Sequence, residues 1–262
     1  MLLRNTVFLC TSLLRRLIKT LALDQVSSAS LLNIDLSGNS VLVDSMDFNG
    51  LWATAFTDAI IHRSPFYNQY GQQIGAVDLM RVNRRARIAF ASSLNAKVLE
   101  LPIGYNDRYR VLFALILDDK TVDTIVRVVK TTIIYEIMNK ARDSFVPVEI
   151  AIPRFTMTSE IDVKIILENL GVTSLWNDPD VTRYISNPGA LPSGFVQRSS
   201  VTLDNRGINP APYDQTPHNL TAGFNPILDS DFIANRPFLF GLFDTETYTY
   251  IFFFKTRSHF TN

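Results

Sequence analysis

A single cysteine, Cys10, stands in 262 residues, so no intrachain disulfide can form. That count suits a reducing compartment without excluding secretion. Net charge is also missing: 25 Lys and Arg balance 25 Asp and Glu. A neutral chain gives no reason to expect a polyanionic partner across its whole surface. Histidine is scarce. His62, His218 and His259 are far apart, each in polar, loop-like sequence. No Gly-x-Ser-x-Gly elbow, phosphate loop or Cys/His metal spacing occurs. The sequence therefore offers no enzyme centre, no cofactor and no metal, and Cys10, with no histidine near it in sequence, reads as an inert buried thiol. No apolar run approaches the length of a membrane span. Neither nucleic acid nor membrane is an expected partner.

Apolar material is plentiful. Hydrophobic residues make up 47% of the chain against 19% charged, enough for a substantial core. Met1 to Leu23 mixes apolar residues with Arg4, Arg15, Arg16 and Lys19, and Val7-Phe8-Leu9-Cys10 is too short for the core of a secretory signal. The segment reads as an amphipathic helix, with Leu13, Leu14, Leu17, Ile18 and Leu21 at helical spacing. Val41–Phe48 reads as a strand ending near Asn49-Gly50, followed by Trp52 and Phe56, two aromatics expected to pack together. Short strands are expected at Ala76–Met80, Ala86–Ala91, Lys97–Leu101 and Tyr109–Leu117.

Helical spacing of Val and Ile predicts a helix, broken or whole, over Thr121–Arg142, and alternation predicts a strand at Val148–Ile152. Ser159 is the expected cap of a helix Glu160–Leu170 that stops at Gly171. Loop-like Thr173–Pro192 leads into a strand at Ser193–Leu203. A long polar stretch follows Gly207, and then come two heavily apolar segments that read as a buried hairpin, Phe232 to Phe240 and Tyr248 to Lys255. Arg81, Arg84, Arg85 and Arg87 read as a solvated surface, and Asp118-Asp119 as a helix cap or a solvated pair. No repeat, linker or βαβ rhythm divides the chain, so one α+β domain over residues 1–262 is expected.

Local patterns carry a resemblance. Val41 to Trp52 is similar to the serpin strand that ends Phe-Lys-Gly-x-Trp. Ser92 to Pro102 resembles the segment ending Val-Leu-Glu-Leu-Pro, Val148 to Phe155 the Leu-Pro-Arg-Phe strand, and Leu170 to Trp176 the Leu-Gly-Ile-Thr-Asp-Leu-Phe turn. Pro237-Phe238-Leu239-Phe240 matches the terminal hairpin. These follow one another in the family's order from about Leu31 onward. The resemblance implies mixed β-sheets with surrounding helices and a long exposed reactive loop, without the family's N-terminal helices and strands. Open sheet edges or exposed apolar surface would follow, to be met by a partner chain, a rearranged fold or poor stability. It implies secretion, whereas the start of the chain shows no clear signal, so both compartments stay open.

The resemblance also implies a function. Serpins offer a loop to a serine or cysteine protease, and the cut loop inserts as a new strand of the main sheet, dragging the acylated protease along. The hinge and loop would occupy 204–231. Gly207 aligns with the hinge glycine, which puts Ile208, Asn209, Pro210, Ala211, Pro212 and Tyr213 in the inserting segment, with Ile208, Pro210 and Pro212 inward. Inhibitory members carry Thr or Ser and then alanines there, whereas proline lacks the N–H a ladder needs. Asn205 and Arg206 replace two glutamates, Gln197 a histidine and Asp44 an asparagine of the sheet-opening region, to which Trp52 also belongs. These departures imply a non-inhibitory or impaired member, with an active suicide inhibitor and a binding or decoy module as alternatives. Counting from either end places the scissile bond anywhere between Thr221-Ala222, through Gly223, Phe224 and Asn225, and Pro226. Asn219-Leu220-Thr221 is a glycosylation sequon beside that bait.

Overall fold

The computed structural model describes residues 2–10, 40–54, 56, 60–117, 137–178, 180, 191–210, 231–247 and 249–256. Its strands, in chain order, begin with β1 (Leu2–Cys10), β2 (Ser40–Phe48), β3 (Gly50–Leu51), β4 (Ile60–Tyr67) and β5 (Gln73–Arg84). Then come β6 (Arg87–Ala91), β7 (Ala96–Ile103), β8 (Tyr109–Ile116), β9 (Arg142–Asp143), β10 (Val148–Pro153) and β11 (Phe155–Asp162). Helices α1 (Val163–Asn169) and α2 (Ser174–Asn177) precede β12 (Pro192–Leu203), β13 (Gly207–Ile208), β14 (Phe232–Ile233), β15 (Phe238–Asp244) and β16 (Thr249–Lys255).

The chain forms two compact units, one from Met1–Phe48 with Met157–Val201 and the other from Asn49–Thr156 with Thr202–Asn262. In the first, β1 pairs antiparallel with β2, and β2 pairs parallel with β12, whose other edge carries β11. The expected helix at the start of the chain is thus corrected over Leu2–Cys10. A neighbouring strand pairs with it along its full length, and Thr6, Val7 and Phe8 suit a pleated surface. Residues 11–39, with the stripe from Leu13 to Leu21, lie outside the described residues. The expected helix start at Ser159 and Glu160 is corrected as well. Both residues lie in β11, and the cap is Asp162, whose carboxylate accepts the amides of Lys164 and Ile165 at 3.0 and 3.5 Å. The local helix rule was right in kind, but the β-formers Phe155 to Thr158 carry the strand past Ser159.

In the second unit a four-stranded sheet runs β14-β10-β5-β4 and a larger one β16-β15-β8-β7-β6-β9. His62 belongs to β4, not to a loop. A helical turn closes at Ala141, whose amide donates to Ile137 at 2.8 Å, so the predicted helix stops before Arg142, which is in β9. The rest of that expected helix, and Asp118-Asp119, fall outside the described residues. Every residue of β15 is buried, as its unbroken apolar run requires. Phe240 is its centre. Its ring stacks on Phe254 at 5.3 Å and meets Phe155 edge-on at 5.0 Å. Phe240→Ala is expected to cost about 3–5 kcal/mol, read as a fall in urea midpoint.

Two buried carboxylates of this unit face arginine. Glu100, on β7, is buried between Arg87 (3.0 Å) and Arg110. At the hairpin end Arg108 donates to both oxygens of Asp244 at 3.1 and 2.8 Å, which holds that carboxyl below the usual range. A depressed folded pKa stabilises above the unfolded value, and the contribution is lost as pH falls through the folded one. Asp244→Asn should therefore flatten the acid side of the stability–pH curve, measured by urea melts.

Candidate functional site

Strand β12 ends at Leu203 in the turn Asp204-Asn205-Arg206-Gly207. The Asp204 amide donates to the Gly207 carbonyl at 3.0 Å, closing the turn. The Asp204 carboxylate accepts the Arg206 amide at 2.7 Å, as aspartate does at the start of tight turns, and the Arg206 guanidinium at 3.2 and 2.9 Å. Arg206, where the family has glutamate, thus finds its counter-charge inside its own turn.

The turn is fastened to the segment after β3. Trp52 donates its indole N–H to the Asp204 carbonyl at 2.9 Å and its amide to Arg206 at 2.8 Å. The Phe56 amide donates to Asn205 at 3.1 Å. The two rings pack as the sequence suggested, with centroids 5.7 Å apart. Arg84 lies 4.4 Å over the Phe56 ring and donates to the Thr54 carbonyl at 2.8 Å, and burial lowers its pKa.

Gly207 turns the chain back as β13, held between two partners. Ile208 stands opposite Leu203 on one side and Gly50 on the other, while Gly207 faces Leu51. The approach leaves no room for a side chain. A Cβ on Gly207 would meet Gly50 O and lie 2.8 Å from Leu51 Cα. Ile208 is fully buried.

The strand then stops. Asn209 has a left-handed φ of 43°. Its amide donates to the Thr202 carbonyl at 2.7 Å, and its side-chain Oδ1 accepts the Thr202 amide at 2.7 Å. Pro210 follows, half-buried. Ala211, Pro212, Asn219 and the candidate scissile stretch Thr221, Ala222, Gly223, Phe224, Asn225 and Pro226 lie outside the described residues.

The remaining sheet-opening residues sit in the other unit. Asp44 and Gln197 are direct neighbours in the β2–β12 register, and Gln197 Nε2 donates to the buried Asp44 carboxylate at 2.9 Å. Trp52 lies in the second unit, bonded to the turn at 204–207. Arg81, Arg84 and Arg87 each have an internal partner, Glu149 at 2.6 Å for Arg81, whereas Arg85 is exposed, so only part of the arginine run is the solvated surface expected. Asp204, Phe56 and Arg84 were not foreseen as site residues. The Asp-Asn-x-Gly pattern at 204–207 was the available signal for the first.

Comparison with known proteins decides the family. The family model of serpin (serine protease inhibitor) matches residues 28–257. The chain belongs to the serpin family. Mouse Serpin B11 is 26% identical over 213 residues, which are 80% of this serpin and 54% of that protein. An "FXa-directed anticoagulant" from Aedes aegypti is 23% identical, over 81% of this chain and 48% of that one. The fold agrees. Mouse protein-Z dependent protease inhibitor superposes with a TM-score of 0.75 at 16% identity, covering 99% of this chain and 74% of the other. Uncleaved ovalbumin gives 0.65 at 21% identity, over 84% and 54%. This serpin spans about half the length of the curated relatives it matches.

Proposed function

We propose that this serpin offers the loop beyond its hinge to proteases as bait and is cut without trapping the enzyme. The observation that carries the reading is the end of β13. Two residues past the turn, Asn209 leaves the extended conformation and Pro210 follows. An inserting strand needs the opposite, continuous extended backbone with free N–H groups.

The register says which bonds would fail. Gly207 and Asn209 turn their main-chain groups toward β12, so those of Ile208, Pro210 and Pro212 would face the opposite neighbour. Proline at either position leaves a ladder donor missing. Each unmade buried bond costs about 1–3 kcal/mol.

In the other unit β2 and β12 are bonded to each other, from Ser40 opposite Pro192 to Ser45 opposite Arg198. An entering strand must part them and break the Asp44–Gln197 hydrogen bond. Insertion competes with hydrolysis of the acylated protease, so a slowed hinge favours release. The test is incubation with trypsin, chymotrypsin and papain, followed by denaturing electrophoresis and an activity assay. The loop should be cut with protease activity retained. A complex that survives SDS would overturn the proposal.

A further inference from the structure

The Asn209 side chain does something its backbone does not. In an antiparallel ladder, Thr202 and Asn209 would exchange two main-chain bonds, because they follow Leu203 opposite Ile208. One of the two is present, Asn209 N–H to the Thr202 carbonyl at 2.7 Å. The other is replaced. The Thr202 amide donates to Asn209 Oδ1, also at 2.7 Å, instead of to the Asn209 carbonyl. We infer that Asn209 is a positioning residue whose side-chain carbonyl substitutes for the ladder acceptor, and so sets how far the hinge enters the sheet.

The physical logic is that of a strand end. A buried main-chain N–H must find an acceptor. If only a main-chain carbonyl could serve Thr202, residue 209 would stay extended and the next residues would be drawn along the slot. With the side chain accepting, the Asn209 backbone is released to turn at φ 43°. Asparagine is among the few residues that tolerate that conformation and can also accept locally. The device is thus residue-specific. Threonine and alanine fit the left-handed region poorly, and glycine fits it but carries no acceptor.

This inference deepens the proposed function and rests on it only for its consequence, the stalled loop; the bond itself can be tested alone. Amide exchange at Thr202 is followed by NMR in uncut protein for the native chain, Asn209→Asp, Asn209→Gly and Asn209→Ala. Aspartate keeps both acceptor and turn and should leave Thr202 protected. Glycine keeps only the turn and should speed exchange about tenfold, the loss of one hydrogen bond, whereas alanine, which fits the turn poorly, should extend and let its main-chain carbonyl protect Thr202. Protection retained in the glycine variant would overturn the inference, as would exchange equally fast in the aspartate variant. Should alanine prevent folding, the glycine and aspartate pair still decides. The bait reading fails separately, on a protease complex stable in SDS, whatever Thr202 does.

Discussion

Gly207→Ala is expected to unseat the hinge turn and to lower stability by about 2–3 kcal/mol, as overpacking against an unyielding neighbour does. The neighbours are main-chain atoms of Gly50 and Leu51, and no rotamer change can move them aside. Relief must come from displacing β13 or β3. Either movement pulls on Trp52, whose amide and indole both bond to the turn. The paired readouts are the urea midpoint and the Trp52 indole N–H resonance. Both should shift. A stable variant with an unmoved indole signal would mean that the turn is not seated against β3.

The second large effect lies in the hinge sequence. The combined variant Asn209→Thr, Pro210→Ala and Pro212→Ala returns an extended-compatible residue and two ladder donors. At about 1–3 kcal/mol for each restored bond, the cut form should gain several kcal/mol over the cut native chain. At this size that is a rise in Tm of roughly 5–10 °C. The measurement is a thermal melt before and after loop cleavage by a trace of non-specific protease. If the variant's cut and uncut forms melt together, the barrier lies elsewhere, in the paired strands β2 and β12.

Much of the fold was readable because the chain states it locally. The alternation in Val148–Ile152 and the unbroken apolar run at Phe238–Phe243 each have one sensible reading as strands, and both are strands. Errors arose where tertiary pairing overrode local preference. Leu2–Cys10 became a strand because β2 lies alongside it. Ser159 looked like a helix cap, but pairing extended β11 to Asp162, which took the cap instead. The site divides in the same way. The hinge pattern singled out Gly207 and Ile208, and the structure shows a close backbone approach at the first and burial of the second. The use of Asn209 Oδ1 as a ladder acceptor was not, because it depends on a φ and a cross-strand partner that no spacing encodes. The pairing of Asp204 with Arg206 was nearer to hand, since turn chemistry and opposite charge stand two residues apart.

The most direct test of the central claim uses the native chain. The loop is nicked with a trace of non-specific protease, intact folding is verified, and the melting temperatures of cut and uncut protein are compared. A hinge stopped at Asn209 and Pro210 predicts coincident melts. A large rise on cleavage would mean that the loop enters the sheet despite its prolines, and the chain would then have to be regarded as an inhibitor by insertion.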